Sequence, residues 1–445
     1  MALSKLKAKM KGIKYLPFEQ NGITYNLYDL PNGFVIEGNL DISGKGLTEL
    51  PDLSDVVVKG NFLCYGNQLT SLKGAPKEVG GDFSCYENQL ASLEGAPQKV
   101  GGSFICCDNQ LISLEGAPKE VYEHFHCSRN RLTSLKGAPE EVNGFFKCSD
   151  NQLTSLEGCP RIVKDDFKCY NNRITSLKGV PQMVGGDFYC QYNQLTSLKG
   201  SPLYVGGDFK CSRNKLTSLK GAPQKVGGYV DCSSNGLTSL EGAPQKVGGD
   251  FWCYNNKLTS LEGAPQKVGR HFICCDNQLT SLNGAPKEVG EGFRCENNKL
   301  TTLEGAPEVV GGDFCCENNK LTSLEGSPLY VGGDFRCENN KLTTLVGVPP
   351  LKENEKIYCD DTLWKKYGLS DTDYCGISYE ELCNSPLYKS ETTIGRVRNK
   401  KSQKQVQAKP VLTKQQEQKE KLQQEKINAE FSQWLKDNAN KPTRE

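Results

Sequence analysis

The sequence predicts a repeat solenoid: a curved, right-handed stack of about sixteen short coils, with parallel strands on its concave face and a C-terminal helix. Three observations predict it. Cysteine recurs at every twenty-first position from Cys64 to Cys337 without a gap. Asn follows each of these cysteines by three residues, from Asn67 to Asn340, with Gly at ten and Pro at twelve. Composition agrees: hydrophobic residues make up 36% of the 445, beside 46 Gly and 21 Pro. Such a chain suits many small buried stripes better than one large core.

Residues 1–39 come first. Met1 to Lys11 is basic and lacks the apolar stretch of a signal peptide. Residues 14–39 alternate as strands do, in Tyr15-Leu-Pro-Phe, Ile23-Thr-Tyr-Asn-Leu-Tyr and Phe34-Val-Ile, and are expected to form an N-terminal cap. Residues 40–360 are the array. Its full units read V-G-G-D-F-x-C-x-x-N-x-L-T-S-L-x-G-A-P-x-x, and degenerate units at Leu40-Asp-Ile42 and Ile357-Tyr-Cys359 extend it at both ends.

Each position has a physical reading. F-x-C alternates with period 2, so Phe and Cys share one face of a very short strand. The following Asn can bond backbone of its own and the next coil, forming a ladder in place of water. The two Leu of L-T-S-L face inward. Gly-x-Pro stops any helix and sets an extended return. Val closes the loop, and Gly-Gly is expected to turn the chain back into the strand.

Phe83-Ser-Cys85-Tyr-Glu-Asn88-Gln-Leu90 resembles the leucine-rich repeat core L-x-L-x-x-N-x-L. The 21-residue unit with Pro on the return is similar to the short bacterial class found in secreted effectors. Phage and large-virus proteins carry similar arrays. The resemblance covers residues 40–360 and departs in its Phe, its Cys and its Gly-Gly. It implies a binding scaffold.

Beyond the array, residues 361–388 carry Trp364, Tyr367, Tyr374, Ile377 and Leu382, enough to cap the last coil. Residues 389–411 read as a basic linker, with six cations and no acid between Arg396 and Lys409. Residues 412–445 read as a helix and tail. Ile427, Phe431, Trp434 and Leu435 fall on one stripe of that helix, a docking element for a larger assembly.

No catalytic constellation, cofactor motif or metal site is expected. Cysteines 21 residues apart lack zinc-ligand spacing. As a stacked column they read as small buried hydrophobes, which predicts a reducing, cytoplasmic setting. Secretion into a host cell or incorporation into a virion stays open. Cys107, Cys275 and Cys315 fall at outward positions and are candidate reactive thiols. Cys359-Asp-Asp361 matches the C-x-D of effector-type ubiquitin ligases, but only 84 residues follow it. The three His have no Ser or Asp partners at triad spacing. No apolar run reaches the ~18 residues of a membrane span.

Lys+Arg 54 against Asp+Glu 53 gives a net charge of +1, so nucleic acid is not the expected partner. A protein is. The outward strand positions form a basic and aromatic stretch: Arg129, Lys147, Lys168, Tyr170, Tyr189, Tyr192, Lys210, Arg213, Trp252 and Tyr254. Exposed Tyr, Trp and Arg are common anchors at protein interfaces. The expected function is a non-enzymatic interaction scaffold holding a partner there. The alternatives are a structural part of a larger assembly, docked by the C-terminal helix, and a ligase using Cys359.

Overall fold

The computed structural model describes residues 14–369 and 376–398, with side chains as far as residue 392. Two compact units make up the chain: Met1–Gln194 with Gly200–Pro202, and Leu195–Lys199 with Leu203–Glu445. Each is a stack of coils joined by parallel strands.

In the first unit, eight two-residue strands begin at Leu40, Phe62, Phe83, Phe104, Phe125, Phe146, Phe167 and Phe188. They pair in parallel and in register, as Phe83 with Phe62 and with Phe104. In the second unit the corresponding strands begin at Phe209, Val230, Phe251, Phe272, Phe293, Phe314, Phe335 and Lys356. Phe and Cys point inward, and Phe83, Cys85, Phe272 and Cys274 are all fully buried. Neighbouring Phe rings stand 5.3 to 5.7 Å apart. Burial of each such ring is worth ~1.5–3 kcal/mol, so the column is a main source of cohesion.

The Val that the sequence reads as loop closure belongs to a second parallel ladder. Glu78–Val79 and Lys99–Val100 are strands, joined through Val79 and Val100. The Gly-Gly that follows does not serve a left-handed turn. A Cβ on Gly101 would run into the carbonyl oxygen of Gly80, so close approach of coils excludes side chains there. The left-handed glycine is the later one. Gly95 has φ +93, and a Cβ on it would lie 2.8 Å from the Leu72 backbone.

The Asn corner is the most uniform part of the coil. Asn88 Nδ2 donates to the carbonyls of Cys64, Cys85 and Tyr86, and its Oδ1 accepts from Leu69 N. One side chain thus satisfies backbone of two coils out of reach of water. The residue just before it takes the left-handed region, with φ +52 at Glu87, +52 at Arg129 and +55 at Tyr192.

Both ends of the array are covered. At the N-terminal end, Pro17–Gln20 and Ile23–Asn26 form an antiparallel hairpin, and Phe34 packs edge-on against Tyr25 at 5.0 Å. At the C-terminal end, Ile377–Ser378 adds an antiparallel strand to Lys356–Tyr358. Helix α1 (Asp361–Lys366), α2 (Tyr379–Asn384) and α3 (Pro386–Arg398) follow. Ser378 and Glu381 form a reciprocal capping box on α2. Trp364 and Leu382 are buried beneath. Glu391 on α3 accepts from Tyr367 Oη at 2.6 Å, Thr344 Oγ1 at 2.8 Å and Lys366 Nζ at 2.9 Å. This fastening explains why α3 runs ten residues into the stretch read as linker. Pro386 at its first position also suits a helix start. The remainder of the linker, the helix expected within 412–445 and its residues Ile427, Phe431, Trp434 and Leu435 lie outside the described residues.

Candidate functional site

The candidate site is the outward row of the strand ladder. Each coil presents there the residue after Phe and the two after Cys. Their backbones are fixed by the ladder and the Asn corner, so packing leaves their side-chain chemistry unconstrained.

The first unit holds Arg129, Lys147, Lys168, Tyr170, Tyr189 and Tyr192. Its cations are not loose. Arg129 Nη2 lies 2.7 Å from Asp108 Oδ2. Lys147 Nζ sits 4.0 Å from the Phe145 ring centroid, and Lys168 Nζ 4.6 Å from that of Tyr189. Lys168 also pairs with Asp166 at 2.6 Å and lies 3.7 Å from Asp187. Burial lowers the Lys147 pKa, with Lys168 adding to it. At Lys168 burial works the same way, but the Asp166 contact outweighs it and the pKa rises. His126 is pushed down to about 4 by burial and then by Lys147 and Arg129, so it is neutral at ordinary pH. Tyr192 is 51% exposed. The sequence missed Phe145, which stacks on His124 at 3.9 Å and carries Lys147.

The second unit holds Lys210, Arg213, Trp252 and Tyr254. Lys210 Nζ lies 4.9 Å from the Tyr229 ring, which itself packs 5.2 Å from Trp252. Trp252 Nε1 is shut off from water and has no hydrogen-bond partner among the described residues.

Further along the same unit is an open groove of about 600 Å³, lined by His271, Glu291, Arg294, Cys315, Glu317 and Arg336 among others. Three consecutive coils place Glu296, Glu317 and Glu338 at the position after Cys. In each, Oε2 is shielded from solvent without a hydrogen-bond partner among the described residues. Arg294 Nε bonds Glu296 at 3.1 Å, while Arg336 reaches Asp334 at 3.4 Å and covers the Tyr358 ring at 4.4 Å. Burial first, then Glu296 and Glu338, pushes the Glu317 carboxyl up to about 7, against the opposing pull of a backbone hydrogen bond. The repeated Cys-Glu-Asn-Asn-Lys of these coils was the available signal. Their burial could not be read from it.

The outward thiols are corrected. Burial pushes Cys107 and Cys275 up to about 12 and raises Cys315 as well, so none is a ready thiolate. Every described cysteine is a free thiol. Several column members, such as Cys295, donate to the next coil's carbonyl, here Cys315 at 3.2 Å. Cys359 is 7% exposed, held in the terminal coil as its core residue. His271 Nδ1 accepts the Gly292 amide at 3.0 Å, which occupies the lone pair a general base would use. Among the described residues no group of three or more His, Cys, Asp or Glu could hold a metal, and no helix is long and apolar enough to cross a membrane.

No family model matches the chain. No curated protein matches it. Among solved structures it is similar to YopM, titled a leucine-rich effector protein, from Yersinia pestis. That match has 17% identity and a TM-score of 0.43, covering 72% of this chain and 88% of that one. It is also similar to YopM from Yersinia enterocolitica, at 18% identity and TM-score 0.39 over 72% and 91% of the two chains. A third similar structure is the functional domain of InlJ from Listeria monocytogenes, whose title notes a cysteine ladder. Its identity is 17% and its TM-score 0.44, over 70% of this chain and 69% of that one. The fold is a solenoid of stacked parallel-strand coils, with helices at the C-terminal end of the described residues.

Proposed function

We propose that the chain is a non-enzymatic protein-interaction scaffold, and that the strand row of the first unit, from Arg129 to Tyr192, holds the partner protein. The observation that carries this is the pre-ordering of that row. Lys147 over Phe145 and Lys168 over Tyr189 are cations already laid on rings. Such side chains lose little rotamer freedom when a partner covers them, which is a recurrent advantage of interface anchors. Lys210, Arg213, Trp252 and Tyr254 form a comparable row in the second unit.

The test is affinity for a purified partner, recovered with the full chain and measured by calorimetry. Tyr189→Ala with Tyr192→Ala should weaken binding at least ~tenfold, the usual scale for losing aromatic anchors. Lys147→Glu should do so as well. Unchanged affinity in both variants, with loss on changing the Val-strand face instead, would reject this placement.

A further inference from the structure

A second side-chain ladder runs through both units at the residue just before Phe. In the first unit, Asn61 Oδ1 accepts the Asp82 amide at 2.8 Å, Asp82 accepts Ser103 N at 2.7 Å, and Asp166 accepts Asp187 N at 2.9 Å. In the second, Asp250 accepts His271 N at 3.0 Å, and Asp313 accepts Asp334 N at 2.9 Å. Each bond ties the edge of one coil to the backbone of the next.

Two members are histidines. His124 Nδ1 accepts Phe145 N at 3.0 Å, and His271 Nδ1 accepts Gly292 N at 3.0 Å. A carboxylate keeps lone pairs for this bond throughout mild acid. An imidazole nitrogen has one lone pair, and a proton on it turns the acceptor into a donor facing a donor. The bonding partners assign the tautomer: with Nδ1 accepting, the ring proton is on Nε2. In His271 that nitrogen lies 2.7 Å from Glu291 Oε2.

The surroundings of the two rings differ. Around His271 stand Glu291, Arg270 at 3.1 Å from that carboxylate, and Asp250, with Arg294 and Asp313 across the groove. Around His124 stand Phe145 stacked on the ring, Lys147 over Phe145, His126 edge-on to Phe145, and the Asp165 carboxylate, whose charge reaches the imidazole. Glu123 takes the Ser103 hydroxyl at 3.3 Å. Neighbouring rungs give little cover. Phe145 has no acceptor to continue the ladder, and Gly292 has no side chain.

We propose that His124 and His271 are acid-labile joints: protonation of Nδ1 releases the backbone amide of the next coil and loosens the strand edge there, while coils joined by Asp stay shut. This goes beyond the binding role proposed above and does not depend on it.

Residue-resolved amide exchange on the full chain tests it, read as protection factors at about pH 7.5 and about pH 5, the range in which imidazoles change charge. Protection at Phe145 and Gly292 should fall about tenfold or more, while Asp187 and Asp334 hold theirs. The variants His124→Asp and His271→Asp install the residue used by other coils. They should keep their amides protected at both pH values. Unchanged protection in the parent chain, an equal fall at Asp187 and Asp334, or the same fall in the Asp variants would each overturn the proposal.

Discussion

The corner after the strand and the corner before it both bridge coils with a side chain, yet they differ in what they tolerate. After the strand, fourteen consecutive full units use Asn. Before it, the units use Asn61, Asp82, Ser103, His124, Phe145, Asp166, Tyr229 and Gly292, among others. Asn256 shows why the first is uniform. Its Nδ2 donates to the carbonyls of Cys232, Cys253 and Tyr254, while its Oδ1 accepts from Leu237 N and Asn235 N. Only an amide both donates and accepts in that shape. The earlier corner asks for one acceptor at a partly exposed amide, so several residues serve and some coils do without. The strand row beyond asks for nothing, and there the chemistry varies most. A position is free for binding to the extent that backbone satisfaction does not claim it.

The largest predicted effect lies at the demanding corner. Asn277→Ala leaves the carbonyls of Cys253, Cys274 and Cys275 and the amide of Leu258 without this partner. Urea unfolding should show a loss of about 3–5 kcal/mol. A loss under ~1 kcal/mol would erase the distinction between corners. Asp313→Ala removes a single bond, to Asp334 N, and should cost about 1 kcal/mol by the same measurement.

Glu317 sharpens the contrast from the free row. Its folded carboxyl titrates at about 7, above the ~4.3 of an unfolded Glu. Between these values the folded state holds a proton that the unfolded chain has released, so stability falls as pH rises through the window and levels off above it. Glu317→Gln should flatten the melting temperature between about pH 5 and about pH 8, and raise it at the alkaline end. An unchanged pH profile would show that the carboxyl does not titrate there.

The smallest effect is a gain. Glu87 holds φ +52, a region that Asn occupies more easily. Glu87→Asn should stabilise by about 0.5 kcal/mol in thermal unfolding. Destabilisation would mean that the Glu side chain has a packing role.

Much of this was legible in the sequence. Phe and Cys inward, the two Leu and the bridging Asn all follow from positions that stay fixed through fourteen units, apart from Val230 in place of Phe and Ile174 in place of Leu. The Val ladder was missed because a two-residue strand shows no period. The left-handed residue was missed although Asn or Asp holds it in eight of the fourteen units, because Glu87, Arg129, Tyr192, Arg213 and Ser234 interrupt the pattern. Cys107, Cys275 and Cys315 lie on the outward row as read, but the neighbouring coils bury their thiols. Helix α3 was hidden by its polar composition, since Glu391 gains its meaning only from Tyr367 and Thr344 in space. In the candidate site the row of residues was readable. The pairing of Lys147 with Phe145 was not, because it joins two positions whose directions only the folded coil sets.

The most direct test of the two-corner account is a pair of near-isosteric exchanges in one unit, compared by thermal and urea unfolding. Asn256→Asp keeps the acceptor but sets a carboxylate oxygen against three carbonyls. Asp250→Asn keeps the single acceptor toward His271 N. The account predicts a loss of at least about 3 kcal/mol for the first and less than about 0.5 kcal/mol for the second. Equal losses would contradict it.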